Sequence, residues 1–240
     1  MRLGAVTLDA AGTLFAPAEP VGVTYARVAR RHGFPVAADA VERGFRDAFA
    51  AAPPLAFPHA SGPRLAEEER AWWASVVRAA LGAEGATAAF DACFAELYAY
   101  FARPAAWRVF PDVVEALHAL RARGLRLAIV SNFDRRLDAI VAGLGLAPLV
   151  DAVVPSTRAG AAKPAPAIFH AALAMVGVPP AAALHAGDGV VADVAGARGA
   201  GLRAALVDRD GRRPPVPPDT IVVATLKELP AAVDVKDMAQ

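Results

Sequence analysis

The sequence has a single cysteine in 240 residues, Cys93, which excludes an internal disulfide and a cysteine-based metal cage. Cys93 lies in the helical stretch FDACFAELYAY, so we interpret it as a small buried hydrophobic residue. The sequence also lacks an excess of charge of either sign, because it has 25 Lys and Arg residues and 24 Asp and Glu residues, for a net charge of +1. A chain so close to neutral has no field to attract nucleic acid or an acidic membrane surface, and we expect neither as a partner.

Long apolar runs are also lacking. None reaches the roughly 18 residues needed to cross a bilayer, although 56% of the residues are apolar. The N-terminus, MRLGAVTLD, enters a predicted strand directly and does not have the pattern of a signal peptide. We therefore expect a cytoplasmic protein with a full hydrophobic core, as one large domain or as a core with a smaller insert.

Short apolar runs alternate with helical patterns over most of the chain. Five runs indicate buried parallel strands, at 3–8, 125–130, 152–154, 182–186 and 202–207, and a sixth at 220–223 is weaker. Helical patterns lie at 112–123, 134–144, 165–177, 190–199 and 226–233. This alternation predicts right-handed crossovers, and hence an α/β fold with a doubly wound parallel sheet.

The segment 17–106 interrupts this alternation. It contains four amphipathic helical patterns and no convincing strand, and the helices are predicted near 19–32, 38–51, 65–82 and 87–102. Prolines punctuate its two ends, Pro17 and Pro20 at the entry and Pro104 at the exit. We therefore predict an α/β core domain of residues 1–16 and 107–240, with a helical cap domain of residues 17–106.

Polar side chains follow four of the predicted strands. They are Asp9 after the first run, Ser131 and Asn132 after the second, Lys163 after the third, and Asp188 and Asp193 after the fourth. Because ligands bind at the carboxyl ends of parallel strands, we expect these groups at one edge of the sheet. Singly, each has a simpler explanation, such as helix capping by Ser131 or Asp188 or a solvated lysine. Capping does not explain why all of them lie at the same edge.

These residue types suit phosphoryl transfer. Asp9 is the candidate nucleophile, and with Asp188 it would hold Mg²⁺, which prefers oxygen ligands. Asp193 would either hold a metal-bound water or orient Lys163, whose charge would neutralise the nucleophile and the phosphoryl group. The Ser131 hydroxyl and backbone N–H groups near Asn132 would bind phosphoryl oxygens at a helix start.

Four stretches in this order resemble the motifs of the haloacid dehalogenase superfamily of hydrolases, which includes many phosphatases: LDAAGTLF, VSNFD, KPAPAIF and GDGVVAD. The stretches VARRHG, GFRDAF and LRLAIVSNFDRRLDAIVAGLGL are similar to the subgroup of haloacid dehalogenase-like hydrolase domain-containing protein 3. The resemblance covers essentially the whole chain.

The resemblance implies a Rossmann-like core with an inserted cap and a small phosphorylated molecule as substrate, in a monomer or homodimer. It implies catalytic roles for Asp9, Lys163 and Ser131. It assigns phosphate binding to Thr13, Ser131, Asn132 and Lys163. It assigns Mg²⁺ to Asp9, Asp188, Asp193 and the carbonyl of Ala11.

The sequence departs from the family's phosphatases at Ala11. Those phosphatases carry an Asp there, which protonates the leaving alcohol and then activates water. Alanine does neither, and such general acid–base help is typically worth about 10²- to 10⁴-fold in rate. Dehalogenases and a phosphonate-cleaving branch of the superfamily also lack this Asp, because their leaving groups do not need it.

Two other features discriminate among these branches. GDGVVAD keeps the acidic pair that metal-free dehalogenases replace in part, and 17–106 has no lysine to serve as the Schiff base of the phosphonate branch. The leading interpretation is a Mg²⁺-dependent phosphatase, either slow or selective for good leaving groups. The alternatives are a catalytically weakened phosphate-binding protein and, less favoured, a haloacid dehalogenase.

Some residues of the insert and core have open or secondary roles. His59 lies in a loop of the insert and could reach a substrate, but a surface position is the simpler prediction. His185 lies in an apolar strand and is predicted to be a hydrogen-bonded core residue. Trp72 and Trp73 are predicted to pack the insert helices, with one of them an alternative lining for the cleft. Asp134 is predicted to cap a helix.

Overall fold

The computed structural model describes residues 2–83, 88–212 and 214–237. In this part of the chain the strands are β1 Ala5–Leu8, β2 Phe15–Pro17, β3 Trp107–Val109, β4 Arg126–Ser131, β5 Ala152–Pro155, β6 Ala183–Gly187, β7 Arg203–Val207 and β8 Ile221–Val223. Six of them form one parallel sheet in the order β5-β4-β1-β6-β7-β8. All six predicted strands are confirmed.

The helices are α1 Val21–Arg31, α2 Ala38–Ala51, α3 Gly62–Leu81, α4 Ala88–Tyr100, α5 Val113–Ala122, α6 Arg136–Gly143, α7 Ser156–Ala159, α8 Pro166–Val176, α9 Gly196–Gly199 and α10 Leu229–Asp237. The segment predicted as one helix over 190–199 is instead a π-helical turn, Val190–Ala195, followed by α9. Position 87 of the predicted fourth insert helix and positions 238–240 of the predicted core lie outside the described residues. None of the described helices is both long and apolar enough to cross a bilayer.

Helices cover both faces of the sheet. Along β4, Leu127 and Ile129 join the apolar cluster that contains residues of α5, α6 and α10, whereas Ala128 and Val130 join the cluster with α8 and α9. A parallel strand buried on both faces needs apolar residues at every position, which is why these runs do not alternate. The doubly wound α/β fold is therefore confirmed.

The chain reverses its winding direction at β1. From there it crosses to β4 and β5 on one side and later returns to β6, β7 and β8 on the other. In open α/β sheets ligands bind at such a switch point, outside the carboxyl ends of the strands. Asp9 follows β1 and Asp188 follows β6, so this topology brings the two carboxylates to neighbouring strand ends.

The helices α1 to α4, here called the helical insert, lie between β2 and β3. Their apolar side chains form a cluster of their own that includes Tyr25, Val77, Phe90 and Leu97. β2 and β3 pair antiparallel, with Phe15 opposite Val109. This pair was not predicted, because a strand of three residues is too short to show a pattern in the sequence. Pro17, predicted as the first residue of a strand-free segment, ends β2.

Candidate active site

Lys163 bridges two carboxylates at the carboxyl edge of the sheet. Its Nζ lies 2.6 Å from Asp9 Oδ1 and 2.5 Å from Asp193 Oδ1, and all three residues are buried. Burial alone disfavours the ammonium, but the negative charges of Asp9 and Asp193 outweigh burial and raise the pKa of Lys163. The structure therefore holds a charged lysine directly against the candidate nucleophile.

Asp193 is enclosed by hydrogen-bond donors. The Gly189 N–H donates to Oδ2 at 2.8 Å, and His185 Nε2 lies 2.9 Å from Oδ1. Burial would raise the pKa of Asp193, but the Lys163 charge and the bond with His185 hold it well below its usual range. A Cβ on Gly187 would collide with this carboxylate, so glycine is needed there. Of the two roles considered for Asp193, orienting Lys163 is the one its contacts support.

His185 lies beneath this cluster in β6. Its Nδ1 is 2.8 Å from the Thr7 hydroxyl, and its ring packs edge to face on Phe169. Because burial lowers the pKa of His185, the ring is neutral, so Nε2–H donates to Asp193 and Nδ1 accepts from Thr7. The prediction of a hydrogen-bonded core residue is confirmed. The sequence did not indicate that the partner is Asp193.

Asp188 stands at the solvent side of the cluster. One carboxylate oxygen from each of Asp9, Asp188 and Asp193 can be chosen so that all three lie within 4.8 Å of one another. Asp188 is an exposed residue, yet partial desolvation of its carboxylate and the charges of Asp9 and Asp193 raise its pKa to about 6. Three carboxylates this close together repel one another, and their oxygen atoms are the ligands that a hard cation prefers.

The backbone of the turn after β1 lies against the Asp188 carboxylate. Gly12 has φ +93°, and a Cβ there would lie 2.5 Å from Asp188 Oδ2. The neighbouring Thr13 hydroxyl donates to Asp188 Oδ1 at 3.2 Å. Thr13, predicted to bind phosphate, thus contacts a candidate metal ligand. Only glycine combines this left-handed conformation with so close an approach.

Ala11 lies in the same turn, partly buried against the core. Its backbone forms a bridge with Phe15, and Arg209, which also pairs with Asp112, donates to the Thr13 carbonyl at 2.7 Å. These contacts fix the turn from a loop about 200 positions away in the chain, which no sequence pattern indicated. The turn provides no carboxylate at position 11.

Ser131 and Asn132 stand at the end of β4. The register pairs Leu8 with Ile129, so Ser131 lies just beyond the level of Asp9 and is buried. Asn132 receives the Lys163 N–H at 2.7 Å and donates to the Lys163 carbonyl at 2.9 Å. Its amide therefore holds the backbone of Lys163. The next helix, α6, begins at Arg136, so the alternative that Ser131 caps a helix is wrong. The alternative that Asp188 caps the π-helical turn is also wrong, because Gly189 holds its N-cap position.

The helical insert contacts the residues that follow Asn132. Trp73 Nε1 donates to Asp134 Oδ2 at 2.6 Å, and Asp134 also accepts the Arg136 backbone N–H at 2.8 Å. Arg135 holds the N-cap position of α6, so the prediction that Asp134 caps this helix is wrong. Glu69, fully buried, accepts from the Thr157 hydroxyl at 2.6 Å and pairs with Arg135 at 3.0 Å. No sequence pattern indicated these contacts of Glu69. His59 is exposed, as predicted.

Comparison with known proteins identifies one family of hydrolases. The family model described as haloacid dehalogenase-like hydrolase matches residues 3–201. The human haloacid dehalogenase-like hydrolase domain-containing protein 3 is 36% identical over 98% of this chain and 95% of its own length. A phosphoserine phosphatase of Thermus thermophilus is 40% identical over 50% of this chain and 48% of its own. The crystal structure of a 2-haloacid dehalogenase from Pseudomonas syringae superposes with a TM-score of 0.67 at 26% identity, covering 98% of this chain and 99% of that one.

The resemblance read from the four motifs is thereby confirmed. The family match spans every residue of the site, from Asp9 to Asp193. The chain belongs to the haloacid dehalogenase-like hydrolase family.

Proposed function

We propose that the protein is a Mg²⁺-dependent phosphatase of a small phosphorylated metabolite, with Asp9 as nucleophile and residues 17–106 as its cap. The observation that carries the proposal is the position of Lys163 between Asp9 and Asp193, beside Asp188. A lysine there lowers the repulsion between an attacking carboxylate and a phosphoryl group, and two further acids leave room for a divalent cation.

Each residue of the candidate site has its own role in the proposed reaction. Asp9 attacks phosphorus to form an aspartyl-phosphate, and the bond to the leaving oxygen breaks with its electron pair on that oxygen. The Lys163 ammonium faces the charge that develops on the phosphoryl oxygens, and Ser131 at the adjoining strand end binds one of them. Water then attacks phosphorus, which releases phosphate and restores the Asp9 carboxylate.

The carboxylates fit a bound cation. Asp193 already accepts bonds from Lys163, His185 and Gly189. Asp9, Asp188 and the Ala11 carbonyl would therefore hold the cation directly, and Asp193 would act by orienting Lys163. Bound Mg²⁺ supplies positive charge that polarises the phosphoryl group. Ala11 has no proton to give, so the leaving group departs as an anion unless another residue supplies one.

Two alternatives have support of their own. Ala11 favours a protein that binds phosphate without turnover. The likeness to a 2-haloacid dehalogenase supports dehalogenation, and the relative named phosphoserine phosphatase supports the leading proposal. The retained pair Asp188 and Asp193 disfavours a metal-free dehalogenase, since that reaction displaces halide from carbon without metal.

A substrate screen separates these functions. Phosphorylated metabolites and 2-chloropropionate are assayed with Mg²⁺ and with chelator, using the wild type and Asp9→Asn. The phosphatase releases phosphate only with Mg²⁺ and only with Asp9 intact. Halide release without metal identifies a dehalogenase. Saturable phosphate binding with no turnover of any compound identifies a binding protein.

A further inference from the structure

A cavity of about 60 Å³ lies between the helical insert and the core. Eight of its twelve lining residues are aromatic, including Tyr25, Trp73 and Tyr98 from the insert and Trp107 and Phe133 from the core side. Five of the rings are in contact in series, from Phe45 through Tyr25, Phe101 and Trp107 to Phe133, and the last pair is edge to face with 5.7 Å between centroids. The one charged lining residue, Arg136, pairs with Asp134, so the cavity offers ring surfaces and few polar groups.

The core-side wall is attached to the candidate active site. Phe133 follows Asn132, whose amide holds the backbone of Lys163, and Ser131 precedes both. The rings of Trp107 and Phe15 pack edge to face, with 5.3 Å between their centroids. The Phe15 backbone forms a β-bridge with Ala11, in the turn after Asp9. Two lining residues of the cavity, Phe133 and Trp107, are therefore linked through neighbouring residues to the candidate active site.

The volume suits a single ring. One water needs roughly 10–15 Å³ of such space, so this cavity holds about four to six groups of that size, the scale of one six-membered ring. Aromatic walls favour an aromatic occupant, because offset and edge-to-face contacts add to the free energy of apolar burial.

We propose that this cavity receives an aromatic leaving group and that aryl phosphates are the substrate class, an inference that rests on the proposed function. Two independent features agree on it. Ala11 leaves the departing oxygen without a proton donor, and a phenoxide is stable as an anion. The aromatic wall then provides the place for its ring. In the first step the Asp9–phosphorus bond forms, the phosphorus–oxygen bond breaks, and the aryl oxygen keeps the electron pair.

A binding experiment tests the cavity without turnover. Phenylphosphonate and methylphosphonate share a phosphoryl group and differ in the ring, and calorimetry with Mg²⁺ compares their affinities for the wild type. We expect the phenyl compound to bind about tenfold to a hundredfold more tightly, the scale of burying one ring. It should shift the indole NMR signals of Trp73 and Trp107, which line the cavity. Trp72, which donates to the Pro53 carbonyl and lies outside the lining, is the internal control. Equal affinities overturn the proposal.

A kinetic experiment uses a matched pair of variants. Val21 lines the cavity and Val23, two residues along α1, is exposed, so Val21→Phe fills the cavity while Val23→Phe adds the same ring to the surface. For an aryl and an acyl phosphate of equal leaving-group pKa, we expect Val21→Phe to lower the ratio of their kcat/KM values by about tenfold or more. Val23→Phe should leave that ratio unchanged.

The outcomes distinguish this proposal from the one on which it rests. Selective phenylphosphonate binding with no turnover of any phosphate upholds the aryl site and contradicts the phosphatase. Turnover with a kcat/KM ratio that Val21→Phe does not change upholds the phosphatase and overturns the aryl site. Circular dichroism shows whether Val21→Phe is folded, and the wild-type binding result decides if it is not.

Discussion

His185 Nε2 lies 2.9 Å from Asp193 Oδ1, the same oxygen that contacts the Lys163 ammonium. The His185 imidazole, which also contacts the Thr7 hydroxyl, thus orients the Asp193 carboxylate, and this carboxylate orients Lys163. All three groups are buried, so water cannot replace a missing donor without cost. A fully buried residue, His185, is thus linked through Asp193 to the ammonium that contacts Asp9.

We predict that His185→Leu lowers the turnover of a phosphate ester about tenfold to a hundredfold, because the loss of one hydrogen-bond donor to the buried Asp193 carboxylate costs about 1–3 kcal/mol. His185→Gln keeps a donor near Nε2 and should recover much of the loss. Stopped assays at saturating substrate measure this, with urea unfolding of each variant in parallel. If both variants lose equal stability but only His185→Leu loses turnover, the role is positioning. Wild-type turnover in His185→Leu contradicts it.

Removal of a candidate metal ligand should weaken Mg²⁺ binding. Asp188→Asn keeps the shape of the side chain and removes its charge, and we expect Mg²⁺ affinity, in the micromolar-to-millimolar range, to fall by more than about tenfold. Calorimetry measures it. Asp210→Asn, which removes an exposed carboxylate outside the cluster, is the matched control. Equal affinities in Asp188→Asn and the wild type would place the cation elsewhere.

Asp9→Asn should abolish turnover and leave the fold intact. An amide does not form an acyl phosphate, and the side chain is otherwise isosteric with the carboxylate. Beryllium fluoride, a mimic of the phosphorylated carboxylate, should bind the wild type in a fluorine NMR experiment and fail to bind the variant. Residual turnover near the wild-type rate would rule out Asp9 as the nucleophile.

Ala11 should make the rate depend strongly on the leaving group. With no proton donor at this turn, aryl and acyl phosphates should react far faster than alkyl phosphates, and Ala11→Asp should raise alkyl turnover by about ten- to a thousandfold. The measurement is kcat/KM for esters of graded leaving-group pKa. Ala11→Asn, which has the same shape and no acid, is the control and should not recover activity. A flat dependence in the wild type would point to another proton donor, with His59 the first candidate for mutation.

The contact between insert and core should contribute to stability through Glu69. Its buried carboxylate accepts from Thr157 and pairs with Arg135, so Glu69→Ala should lower the free energy of unfolding by about 1–3 kcal/mol. The neighbouring Glu68, with a side chain 43% exposed, pairs with Arg64 at 3.8 Å, and Glu68→Ala should change that energy by less than about 1 kcal/mol. Urea denaturation measures both. Equal effects would mean that the Glu69 contacts add nothing beyond a surface pair.

The sequence by itself determined the strands, the parallel sheet and the polar group at the end of each relevant strand. A strand buried on both faces is largely apolar, so β1, β4, β6 and β7 can be recognised in the sequence as apolar runs with few polar residues. Parallel strands of one sheet end at one edge, so the sequence also predicted that Asp9, Lys163 and Asp188 lie together. The four motifs were sufficient to identify the family.

Only the tertiary structure decided how these groups are connected. Lys163 and Asp9 are 154 positions apart, and the partner of each side chain depends on orientations that no spacing encodes. Three contacts are of this kind: the hydrogen bond of His185 with Asp193, the hydrogen bonds of Asn132 with the Lys163 backbone, and the hydrogen bond of Glu69 with Thr157. The aromatic cavity is another, because its walls come from six separate segments whose packing against one another creates the space between them. Hydrophobic periodicity reports which face of an element is buried, but not what it is buried against.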